Sequence, residues 1–401
     1  MTSLNLWNPS YTGFVGAFRA RAATDVRGVQ SPENRDVRID FLCGLANWSI
    51  FLDHIPHNVA NLITLRNFGF SGAADLFIFV SGYAVAMVYA KMIAERGFIV
   101  GTTRIFKRVW QLYAAYIVLF AIYIVAIGHV AVSYAYPDIL GEFNVWSLID
   151  HPVRTLAHGL LLQTRVLNLD LLPLYIVLMA FFPPVLWGLM RKPGLTLIGS
   201  FALYLAARQF GWNLPSFPNG SWYYNPFCWQ LYFVLGAWLA LGGTRQIRPI
   251  FTWPVLPTLG AACLIFAFVM TSAGRLPQLG DMLPDWLLDT FIPVDKINLG
   301  PYRLLHFVIV AFMVTRFVPK DWSALQWPVF QPLIRCGQQS LAIFCVGVFL
   351  SFAGHLVLIT SPDSLLMQLF VSVAGIAIMI VVAYAITWSK EQDRPASRPA
   401  L

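Results

Sequence analysis

Asp53 and His54 stand side by side at the end of a hydrophobic run that begins behind Arg38, in the stretch RIDFLCGLANWSIFLDHIPHN (38–58). An imidazole titrates near neutrality, so it can take a proton from a hydroxyl and return it later. An ionisable residue in or beside a membrane span is costly, which makes this pair a functional candidate whose partner must be named. A pair merely solvated among lipid headgroups is the competing account. Adjacent helical residues point about 100° apart, so Asp53 does not orient His54 unless the helix ends there. Asp75 is the nearest candidate partner along the chain, and it suits a helix N-terminus equally well.

Other residues carry weaker signals. Arg303 and His306 are three apart, hence on one helical face, where they either line a cavity or pair internally. Asp295, Lys296 and Asn298 precede them. Trp222, Tyr223, Tyr224, Asn225, Trp229 and Gln230 could stack and hydrogen-bond a saccharide, but an interfacial aromatic belt explains them too and is the favoured account. Asp170 opens an apolar run, as an acceptor-site residue or as a cap. Ser81-Gly82 is either close to the reacting centre or a close-packing patch. The five cysteines show no CxxC spacing, and His129, His151 and His158 no ligand spacing, so neither a metal nor a bound cofactor is expected. His355 reads as an interfacial histidine.

These groups need elements to position them, and the composition says which. Of 401 residues, 58% are hydrophobic and 11% charged, against about 25% charged in soluble domains. The chain is therefore expected to be all-α: a polytopic bundle of about ten transmembrane helices with the lipid bilayer as its main partner. Apolar runs start near Ile39, Ala73, Ile105, Leu169, Leu195, Phe227, Phe251, Tyr302, Leu333 and Leu365. Pro183-Pro184 predicts a break in the fourth. The net charge of +8 is scattered at the ends of these runs, as topology signals are, and does not indicate nucleic acid. Basic residues fall in alternate loops, which places both termini in the cytoplasm. The expected organisation is a polar cytoplasmic arm (1–37), a membrane domain (38–389) and a cytoplasmic tail (390–401). His54 then lies about 24 Å of helix rise beyond Arg38, near the outer face. The sequence is silent on oligomeric state.

The blocks RDVRIDFLCGLANWSIFLDHIPHN, GFSGAADLFIFVSGYA, NPFCWQLYFVLGAWLA, DKINLGPYRLLHF and RCGQQSLAIF follow one another in the order found in the OpgC-like proteins, which the chain resembles from Arg35 to about Phe344. These belong to the acyltransferase-3 superfamily of membrane O-acyltransferases. The resemblance implies a bacterial inner-membrane bundle with a site open to both faces, succinylation of osmoregulated periplasmic glucans, and acyl-CoA (succinyl-CoA) as co-substrate. It implies that His54 is the base activating a saccharide hydroxyl. Such a reaction also needs donors for the tetrahedral oxyanion. The family's usual arginine, eleven residues before that histidine and thought to contact the donor, is replaced here by Cys43, a neutral and short side chain that cannot grip phosphate. Arg38 is the alternative donor ligand. Two other readings stay open: a transporter or flippase for a glycan or lipid-linked precursor, and a non-catalytic relative.

Overall fold

The computed structural model describes residues 36–133, 138–319, 322–361 and 364–392, and among these it is helical throughout apart from loops and two isolated β-bridges. The arm before Asp36 and the tail beyond Gln392 lie outside the described residues. The first helix, α1 (Val37–Asp53), begins where Asp36 accepts from the Arg38 amide and ends at His54, just ahead of Pro56. Then come α2 (Ala73–Arg96) and α3 (Phe98–Ser133), joined at Gly97 with φ +90°, a backbone region open to glycine. The expected break is present: α4 (Leu171–Ala180) and α5 (Phe182–Arg191) meet at 54°, where Pro183 and Pro184 remove two amide donors.

The remaining long elements are α6 (Pro193–Phe210), α7 (Pro226–Trp238, continued by a π turn to Gly243), α8 (Val255–Ala273), α9 (Pro301–Phe317), α10 (Gln331–Gln338), α11 (Ser340–Thr360) and α12 (Leu365–Gln392). Among the described residues, six helices are long and apolar enough to cross a membrane, and seven if the bent α4–α5 pair is one span. The chain is thus a multi-pass membrane protein. The other three expected runs are helical too, as α1, α6 and α9. They have only 17 or 18 residues and are interrupted by polar groups such as Asp40, Arg208 and Arg303.

The bundle is drawn together by backbone approach. A Cβ at Gly82 of α2 would collide with the Phe233 carbonyl of α7, and one at Gly236 with that of Phe79, so these two helices meet where neither has a side chain. Around the seam lies a core of Phe77, Tyr116, Tyr123, Trp229, Tyr232 and Phe233, all nearly inaccessible. Loops at one end tie together through Asn168 Nδ2 to the His54 carbonyl (3.1 Å) and Arg208 to Asp295 (2.9 Å). At the other end Arg38 reaches the Val318 carbonyl (2.7 Å). Alternate helix ends therefore gather at a His54 end and an Arg38 end.

Candidate active site

His54 is the residue on which α1 stops: its N–H still bonds the Ile50 carbonyl, and its own carbonyl is held by Asn168, a residue at φ +73° in the loop before α4. The backbone is thereby pinned from two sides, while Nδ1 of the ring is buried with no hydrogen-bond partner among the described residues. Asp53 turns away, as the 100° offset requires. Its Oδ1 accepts from the Thr64 hydroxyl (2.5 Å) and lies 3.2 Å from Arg66 Nε, both in the loop between α1 and α2.

Asp75 does not orient His54. Arg303 grips it with two parallel bonds (2.8 and 2.5 Å), and the Gly72 amide donates to its second oxygen (2.8 Å), so it caps α2 and pairs with α9 at once. Both members are almost fully buried, at 0 and 5% side-chain exposure, which a bidentate geometry can sustain where a looser pair could not. One turn along α9, His306 Nδ1 sits 2.7 Å from Ser71 Oγ, and its Nε2 is buried without a partner among the described residues. The spacing of Arg303 and His306 did place them on one face. Ser71 carried no signal in the sequence, because its partner lies 235 residues away.

A cavity of about 3360 Å³ runs through the bundle from Arg38, Arg191 and Lys390 at one end, past Cys43, Ser81 and Arg108, to Ser71, Gly72 and His306 near the other. Asp53, His54, Asp75 and Arg303 do not line it. Arg38, the alternative phosphate ligand, is already committed to Asp36 (2.9 and 2.8 Å) and to Val318. Arg108 of α3 faces the space beside Tyr175 and Cys345, bonds Gln111 (3.2 Å), and pairs with no carboxylate among the described residues. Ser81 stands on the same wall beside Tyr175.

Asp170, Trp222 and Tyr223 do come together, with Thr164 and Tyr224, around a separate small pocket at the His54 end. Arg165 lies 6.0 Å over the Tyr223 ring. Asn225 does not join them as a ligand. It is fully buried, caps α7 through the Phe227 amide, and spends its amide protons on the Trp212 carbonyl and Asn298 Oδ1. Lys296, in the loop before α9, has its pKa lowered by burial and by Arg303 and Arg66 nearby, and it pairs with no carboxylate among the described residues. His355 is a further correction, being buried and paired with Glu142 (2.8 Å) rather than interfacial.

A family model described as OpgC protein matches residues 35–391, so the chain belongs to the OpgC family, whose membership points to a membrane acyltransferase. No curated protein and no solved structure matches the chain.

Proposed function

We propose that this OpgC-family chain is an O-acyltransferase of the bacterial inner membrane that moves an acyl group from cytoplasmic acyl-CoA to a hydroxyl of a periplasmic glucan or another envelope saccharide. In this reading ten helices span the bilayer, both termini are cytoplasmic, the Arg38 end faces inward and the His54 end outward. The observation that carries it is the pairing of a deep cavity, cationic at the Arg38 end, with an imidazole outside its lining whose Nδ1 has no hydrogen-bond partner among the described residues.

The inner cations suit the phosphates of a CoA donor. Arg108 would supply the charge absent at Cys43, since it lines the same cavity and pairs with no carboxylate among the described residues. At the other end, the space enclosed by Trp222, Tyr223 and Asp170 is about 10 Å³, room for one water and not for a sugar ring, so the saccharide would be met outside it. His54 would take the proton of the acceptor hydroxyl. Its pinned backbone limits where the ring can reach, and with Nδ1 shut off from solvent the accessible part of the ring is what a visiting hydroxyl would meet. Lys296, which pairs with no carboxylate among the described residues, would favour an anionic acyl group such as succinyl over acetyl.

The test is mass analysis of envelope saccharides from a deletion strain complemented with wild type or His54→Ala at matched abundance. Acyl substituents should return only with wild type. Substituents unchanged by His54→Ala would remove His54 from the chemistry, and a substrate flux that survives this variant while acylation is absent would favour the transporter.

A further inference from the structure

We propose that Ser71 is an acyl-carrying nucleophile with His306 as its base, so that the acyl group crosses the protein as a Ser71 ester. This rests on the acyl-CoA reading above and deepens it. Two donors of Ser71 face one ring nitrogen: the hydroxyl at 2.7 Å and the backbone N–H at 3.3 Å from His306 Nδ1. A backbone amide can only donate, so Nδ1 is the unprotonated nitrogen and the hydroxyl proton points at it. That is the arrangement by which a histidine activates a serine.

Its position gives the dyad a task. Ser71 and His306 both line the cavity, at the end remote from Arg38, whereas His54 stands outside its lining. A donor in that cavity therefore meets Ser71 before it meets the acceptor's base. Ser71 also directly precedes Gly72, the N-cap of the 24-residue α2, whose first-turn amides have no intrahelical carbonyl to bond and carry the positive end of the helix dipole. They follow Ser71 directly in the chain and are donors suited to an oxyanion formed there. Gly69 backs the ring of His306 so closely that any Cβ there would overlap Nε2, which fixes the imidazole against Ser71. Arg66 links the two centres: its Nε is 3.2 Å from Asp53, and its stem packs where a Cβ on Gly72 would be 3.4 Å away.

In the first half-reaction Ser71 Oγ attacks the thioester carbonyl and its proton passes to His306 Nδ1. The carbon–sulfur bond breaks, and the departing thiolate takes that proton and leaves as free CoA. In the second, the acceptor hydroxyl, deprotonated by His54, attacks the Ser71 ester. The bond between the acyl carbon and Ser71 Oγ breaks, the acyl group passes to the acceptor oxygen, and the proton taken from the acceptor returns to the serine oxygen. No redox partner is needed.

The experiment is single-turnover trapping. Purified full-length protein in detergent is mixed with radiolabelled succinyl-CoA without saccharide, quenched in acid and digested, and free CoA is followed in parallel. The expected result is one labelled ester on the Ser71 peptide with a burst of one CoA per chain, and chase of the label into an added glucose oligosaccharide. Ser71→Ala should lose both label and burst. Ser71→Cys, which keeps a nucleophile where Ala might unfold the turn, should carry a thioester cleaved by neutral hydroxylamine. Transfer to the oligosaccharide with no burst, and at the wild-type rate in Ser71→Ala, would overturn the relay and leave the acyltransferase reading standing. Intact succinyl-CoA, with neither ester nor transfer by wild type, would overturn both.

Discussion

His54 is half-buried and His306 buried near the same end of the bundle, and each has one ring nitrogen with no partner among the described residues, yet they are held in opposite ways. For His54 it is the backbone that is fixed, by Ile50 and Asn168, while the ring meets no hydrogen-bonding group at Nδ1. For His306 it is the ring that is fixed, by Ser71 on one side and Gly69 on the other. A ring that awaits its partner suits a proton arriving with a substrate. A ring already bonded to a hydroxyl of its own chain suits activation of that hydroxyl. The contrast separates a base for the acceptor from a base for the protein.

That contrast can be broken first at His54, where the largest effect is expected. His54→Ala should lower saccharide acylation about 10²–10⁴-fold, the range for a positioned general base, in a steady-state transfer assay. If the loss falls equally on formation of the Ser71 ester, the division of labour between the histidines is wrong. Next in size is the buried pair that anchors the His306 helix. Asp75→Ala leaves Arg303 charged and unpaired, and should cost about 3–5 kcal/mol in denaturant or thermal unfolding in detergent, whereas replacing both partners by apolar residues should recover part of it. Equal losses in the single and double variants would mean the pair is not coupled.

At the donor end the effects are smaller. Arg108→Ala should weaken acyl-CoA binding about tenfold, or ~1.4 kcal/mol, and Cys43→Arg should restore it in that background, both by calorimetry. No change in either would leave the donor's phosphates elsewhere. The smallest effect is a pH dependence of acyl choice. Because burial lowers the Lys296 pKa, its charge is present at low pH and is lost as pH rises, before an ordinary lysine would discharge. Preference for succinyl-CoA over acetyl-CoA should therefore fall a few-fold with rising pH, and Lys296→Met should flatten the profile at its high-pH value. A profile unaltered by that substitution would clear Lys296 of the role.

Much of the bundle was legible because apolar runs and prolines act locally: α1 and α2 begin within two residues of their expected starts, and Pro183-Pro184 breaks its helix as predicted. The helical spacing of Arg303 and His306 was equally readable. What those residues touch was not, since Asp75 lies 228 and Ser71 235 positions away, and nothing in local periodicity encodes such pairings. Asn225 shows the opposite failure. Among aromatic rings an amide looks like a ligand for sugar, but a fully buried side chain next to Pro226 is a helix cap, and only its burial distinguishes the two.

The clasp between Arg38 and the Val318 carbonyl bears on how a guest could be admitted. Helix α9 is tied at its beginning by Asp75 and Ser71 and just past its end by Arg38, while the stretch between them walls the cavity. A phosphate that pulls Arg38 away from the Val318 carbonyl would loosen the wall it passes. Arg38 is better understood as a toll gate than as a docking post, and faster amide exchange around Val318 on adding acyl-CoA would show the gate lifting.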